Sequence, residues 1–170
     1  MGVSGRLLLE LTDLAGDHLP GLEWLSSFHL APLTVDVGFG ERTYASAEHA
    51  YQAAKATDQA DHDAVAEATT PDEAKERGRA VPRRPDWRAV RADVMREVLA
   101  AKFAPGSDLA ERLLVTGNAV IVEVAPHGDA WNGVAPQDDG TWRGRSVLGV
   151  LLMERRGQLR LLRDRFPAEA

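Results

Sequence analysis

Between Pro85 and Ala104, apolar residues return at helical spacing: Trp87, Val90, Val94, Val98 and Ala101, with Met95 and Leu99 alongside. This pattern predicts the longest helix of the chain, stopped by Pro105-Gly106. Ser107 or Asp108 then begins another helix through Leu109, Leu113 and Leu114. A final helix is expected over "SVLGVLLMERRGQLRLLRDRF". Upstream, "DHDAVAEATT" reads as a short helix. "PDEAKERGR" reads as another, with Pro71 in its first turn and Gly78 near its end. Ser46 can cap a helix that runs to about Asp58, with Glu48 in its first turn. The β-branched run in "NAVIVEVAP" is the clearest strand. Short strands are also expected at residues 6–12 and 33–36. "VGFGER" is read as a turn leading into an extended piece at Arg42–Tyr44. The fold class expected is mainly α, an α+β arrangement with a few short strands.

One helix carries more than packing requires. In "YASAEHAYQAAKA", Glu48, Tyr51, Gln52 and Lys55 fall within one arc of about 100°. Ala50, Ala53 and Thr57 occupy the opposite side, flanked by Ala47 and Ala54. Small residues there allow close packing, which would leave the polar stripe facing a cleft. The alternative is a solvated face, since a first-turn acid and a later lysine both suit the helix dipole. Periodicity does not choose between them.

Composition narrows the function classes. With 170 residues and 44% hydrophobic content, the chain has enough material for one domain with a sizeable core. Its net charge of -6 argues against broad electrostatic binding to nucleic acid, while leaving room for a local basic groove. No cysteine is present, so disulfides and thiolate metal sites are excluded. The apolar run near the N-terminus is only three leucines before Glu10, which does not make a signal peptide. No stretch approaches the length of a membrane span. A cytoplasmic protein is expected. Lysine is scarce beside arginine: only Lys55, Lys75 and Lys102 occur.

Other chemistry-bearing positions stand out. Glu123 closes the expected strand, either as a ligand contact or as a strand-end charge. The segment from His127 to Gly149 combines Trp131 and Trp142 with Asp129 and five glycines. Tryptophans of this kind stack on bases or sugars, or anchor a surface loop. Seven arginines lie between Arg77 and Arg96. One or two of these suit an anion-binding edge, and the rest suit a charged face paired with Glu73, Glu76 and Asp93. The five histidines show no metal-ligand spacing, and no phosphate loop or nucleophile elbow occurs. No metal and no cofactor are expected.

Taken in order, "LSSFHLAPLTVD", "YASAEHAYQAAKA", "AKERGRAVPRRPDW", "VRADVMREVLAAKFA", "LLVTGNAVIVEVAP" and "SVLGVLLMERRGQL" resemble the NADAR superfamily, also called the YbiA-like family. The resemblance spans roughly residues 22 to 163. It implies a NADAR domain over 22–165, with residues 1–21 as an extension packed on or near it. It also implies an N-glycoside hydrolase that cleaves a ribose C1′–N bond in a phosphate-bearing substrate. Two substrate classes follow from it: a ribosylaminopyrimidine phosphate of riboflavin biosynthesis, or ADP-ribosylated guanine in nucleic acid. No membrane partner follows, and no protein partner is inferable. Glu48 and Lys55 match the family's motif glutamate and lysine and are the expected catalytic pair. Arg79, Trp87 and Trp131 match further pocket positions. Ser46, Tyr51, Gln52, Asp129 and Ser146 complete the expected substrate-binding set.

Three loop positions depart from the family pattern: Ser27 and Ser146 where relatives have Asn, and Asn132 where they have Gly. They motivate an alternative, a non-catalytic module that binds ADP-ribose or a related nucleotide.

Overall fold

The computed structural model describes residues 8–10, 21–123, 133–136, 138 and 141–165. Asp129, Trp131 and Asn132 lie outside them, as does the end of the strand expected at "NAVIVEVAP". The chain divides into two compact units, one of residues Ser27–Ala104 and one of Met1–Ser26 with Pro105–Ala170.

The first unit begins with a hairpin. Strands β2 (Leu30–Asp36) and β3 (Glu41–Ser46) pair antiparallel, with Leu33 opposite Tyr44. Strand β1 (Leu8–Glu10) belongs to the other unit. Asp36 shapes the turn, since its Oδ1 accepts from the N–H groups of Gly38 and Gly40 at 2.7 and 3.0 Å. Both glycines have positive φ, which only glycine adopts without strain. The strands are longer than the pieces expected at 33–36 and 42–44.

Helix α1 (Ala47–Ala53) follows β3 directly and is buried on every side. Ala47, Ala50 and Ala53 have no exposed surface. Their small side chains let α2 (Gln59–Ala66), α3 (Pro71–Ala80) and α4 (Trp87–Lys102) all pack on α1. The helix ends earlier than expected. The N–H groups of Lys55 and Ala56 reach back only three residues, to Gln52 and Ala53. Asp58 is extended and caps α2 by accepting from Asp61 N–H at 2.9 Å, so it cannot continue α1. Val65, Val98, Leu99 and Phe103 are fully buried in this unit. Each such apolar side chain contributes roughly 1.5–3 kcal/mol by leaving water.

In the second unit, β1 (Leu8–Glu10) pairs parallel with β4 (Val120–Val122). Strands β5 (Val134–Pro136) and β6 (Trp142–Gly144) pair antiparallel. Helix α5 (Asp108–Val115) is capped by Ser107, whose hydroxyl accepts from Ala110 N–H at 3.2 Å. It packs on α6 (Val147–Arg165). With 19 residues against 16, α6 and not α4 is the longest described helix. The expected end of α4 at the Pro105-Gly106 stop holds, but no comparable breaker interrupts α6, and Gly157 is carried inside it. Buried Arg156 on α6 donates to Thr116 Oγ1 at 2.7 Å and to the Ala119 carbonyl at 2.9 Å, fixing the turn ahead of β4. No described helix is long and apolar enough to cross a membrane.

Candidate active site

The site grows from the start of α1. Ser46 is fully buried and caps the helix, accepting from His49 N–H while its hydroxyl meets His49 Nδ1 at 2.7 Å. His49 Nε2 faces the Ala68 carbonyl at 3.1 Å. A ring that donates through Nε2 and accepts through Nδ1 satisfies all three groups. Burial lowers the His49 pKa below its ordinary 6.5 and keeps that ring neutral. Ser46 and His49 thus secure the helix that presents Glu48.

Glu48 is 5% exposed and held from two sides. Its N–H donates to the Ser27 carbonyl at 2.8 Å, and its Oε2 accepts from Ser27 Oγ at 2.8 Å. Its Oε1 accepts from Gln52 Nε2 at 2.6 Å. Gln52 Oε1 in turn accepts from Lys55 Nζ. One unbroken line of hydrogen bonds therefore runs Ser27, Glu48, Gln52, Lys55. The stripe is not a solvated face: Glu48, Tyr51 and Gln52 are buried and Lys55 is half-buried.

Aromatic rings support the amine. Tyr51 and Trp87 pack with centroids 5.0 Å apart, and Lys55 Nζ lies 5.7 Å from each centroid. Trp87 is only 4% exposed. On α3, Lys75, Gly78 and Arg79 share one face by their spacing of three and four. Gly78 lies against Gln52, where an added β-carbon would stand 2.8 Å from Gln52 Cβ. The loop after α3 is tied in as well, since Arg84 N–H donates to the Lys55 carbonyl at 2.8 Å. This brings Arg83 near the amine.

Burial is the largest influence on Lys55 and lowers its pKa. Glu48 opposes that shift, and Arg83, Arg79 and Lys75 add to it, leaving the amine at about 8. Among the described residues, neither Arg79 nor Arg83 pairs with a carboxylate, whereas Arg77, Arg84 and Arg96 pair with Glu73, Asp86 and Asp93.

Seven of the eight expected residues with described positions thus gather in one unit: Glu48, Tyr51, Gln52, Lys55, Arg79 and Trp87, with Ser46 beneath them. Ser146 belongs to the other unit. It is buried with φ 42°, and its hydroxyl accepts from Glu123 N–H at 2.9 Å. Glu123 follows β4, and its carbonyl accepts from Val134 N–H at 2.8 Å. Sequence reasoning did not include Ser27, Gly78, Lys75 or Arg83 in the expected site. Ser27 stood out only as a family departure, and Gly78 only as a glycine near the end of a helix.

The model of the NADAR domain matches residues 18–160. The chain belongs to the NADAR family. It is 35% identical over 136 residues to N-glycosidase YbiA of Escherichia coli, covering 79% of each protein. It is 36% identical over 124 residues to an N-glycosidase of Nostoc punctiforme, covering 70% of this chain and 76% of that one. A riboflavin biosynthesis protein of Vibrio vulnificus is 33% identical over 138 residues, which span 80% of this chain and 35% of that protein. The solution structure of Escherichia coli YbiA matches with a TM-score of 0.77 and 30% identity, over 98% of this chain and 93% of the other. The family, the mainly helical YbiA-like fold and the N-glycosidase class of enzyme expected from sequence are all borne out by these relatives.

Proposed function

We propose that this NADAR chain hydrolyses the ribose C1′–N bond of a phosphate-bearing ribosylated substrate. The observation that carries the reading is the Glu48 carboxylate on α1 and the Lys55 amine in the turn that follows, linked through Gln52 beside Lys75, Arg79 and Arg83. Water supplies the oxygen that joins C1′, and the departing nitrogen base leaves with the C1′–N electron pair and gains a proton. Glu48 stabilises the cation-like sugar or takes the proton from water. Lys55, lowered to about 8, has a neutral fraction near neutral pH. That amine can add to C1′ of an opened sugar, expel the base and be released by water. The unpaired cations suit the substrate's phosphate, and Tyr51 with Trp87 form an apolar floor under the amine. Residues 22–165 form the domain in this reading, and the absence of cysteine fits a cytoplasmic setting.

The substrate is either a ribosylaminopyrimidine phosphate or ADP-ribosylated guanine. The Vibrio vulnificus relative's name favours the first class. The bond from Ser27 to Glu48 weighs against a binding-only module, because the departing residue still serves the carboxylate. Incubation with each substrate, without added metal, and mass spectrometry of the products tests the proposal. Free base released by wild type identifies the substrate class. Binding of both substrates with release from neither overturns hydrolysis.

A further inference from the structure

Glu48 on α1 and Lys55 in the turn that ends it are opposite in charge, yet no contact joins them. Gln52 stands between them. Its amide orientation is fixed by chemistry: a carboxylate only accepts and a lysine amine only donates while charged. Nε2 must therefore face Glu48 and Oε1 must face Lys55, as observed. The reverse orientation would set oxygen against oxygen. Glutamate at 52 would offer two acceptors, and asparagine would be one methylene short. Gly78 leaves the volume that the Gln52 side chain fills.

We propose that Gln52 is a positioning residue: held against Gly78, its amide spaces the Glu48 carboxylate from the Lys55 amine and aligns both, so that they meet substrate as separate groups and not as an ion pair. The inference deepens the functional reading above and rests on it for the identity of the reacting groups. It moves Gln52 from binding substrate to serving its two neighbours. The charged groups facing Lys55 are Glu48 on α1, Lys75 and Arg79 on α3, and Arg83 on the following loop. A direct contact would bring the Glu48 carboxylate, already in this set, closer and return the amine toward its ordinary, protonated range.

Lysine titration tests this without substrate, so its result stands apart from whether turnover is found. The chain has three lysines, and 13C-labelling of their Cε carbons reads each one. Lys102, buried at the end of α4 and lowered to about 7 by that burial, reports an intact fold. In Gln52→Glu a carboxylate contacts Lys55, and its midpoint should rise by about 1–3 units while Lys102 stays in place. In Gly78→Ala the displaced amide should also move the Lys55 midpoint, and this variant decides the matter where Gln52→Glu loses the Lys102 value. A Lys55 midpoint equal to wild type in a folded variant overturns the proposal.

Discussion

Gly78 lies against Gln52 so closely that a β-carbon at position 78 would stand 2.8 Å from Gln52 Cβ. At an ordinary helical site, Gly→Ala stabilises by roughly 0.5–1 kcal/mol. Here the collision costs more, about 1–3 kcal/mol for overpacking. Gly78→Ala should therefore lower the melting temperature and the turnover together. In a Gln52→Gly background the Gln52 atoms that a β-carbon at 78 would meet are gone, and Gly78→Ala should become neutral or stabilising. A double-mutant cycle by denaturant unfolding checks this, and additive effects would contradict the contact.

Stability should favour alkaline conditions. His49 and His62 are lowered below their ordinary 6.5 by burial. As pH falls through 6.5 the unfolded chain binds protons first, so stability present above that value is lost. Lys102 at about 7 and Lys55 at about 8 lie below their ordinary 10.5. Between those values and 10.5 the unfolded chain again holds more protons, so stability rises with pH. Urea unfolding across the pH range should show both slopes. A stability maximum on the acid side would contradict them.

The value of kcat/KM should rise as pH passes about 8, where Lys55 of the free enzyme loses its proton. Lys55→Arg keeps the charge but cannot become a neutral amine. It should lose about 100-fold or more in turnover, while substrate still raises the melting temperature. A Lys55→Arg enzyme with the wild-type rate and pH profile would remove the amine from the chemistry.

Arg79 and Arg83 should act on affinity. Loss of one charge-assisted hydrogen bond, worth about 1.5–3 kcal/mol, should raise KM roughly tenfold or more in Arg83→Ala. The effect should shrink with a dephosphorylated substrate. Steady-state kinetics on the phosphorylated and dephosphorylated pair measures it. Equal KM changes on both would place Arg83 away from phosphate.

Much of this site was legible in the chain, for physical reasons that differ by residue. The spacing of Glu48, Tyr51 and Gln52 put them on one face, because α1 is regular from Ala47 to Ala53, and the turn after it keeps Lys55 beside Gln52. Whether that face was wet depended on α2, α3 and α4 closing around it, which no local pattern encodes. Caps at Ser46 and Ser107 were readable because they bond within four residues. The early end of α1 was not, since Asp58 was claimed by the next helix. Ser27 contacts Glu48 across 21 positions, and Gly78 meets Gln52 only after α3 packs on α1. Contacts of that range leave no periodic trace.

The central claim is that Glu48 drives the bond cleavage from this buried face. Glu48→Gln isolates it, because the new amide can accept from Gln52 and donate to the Ser27 hydroxyl, which works in either sense. The most direct measurement is a single-turnover assay of base release by this variant, run beside its binding of the same substrate. Unchanged binding with release slowed by about 100-fold or more is the predicted result. Release at the wild-type rate from a folded Glu48→Gln protein would contradict the account.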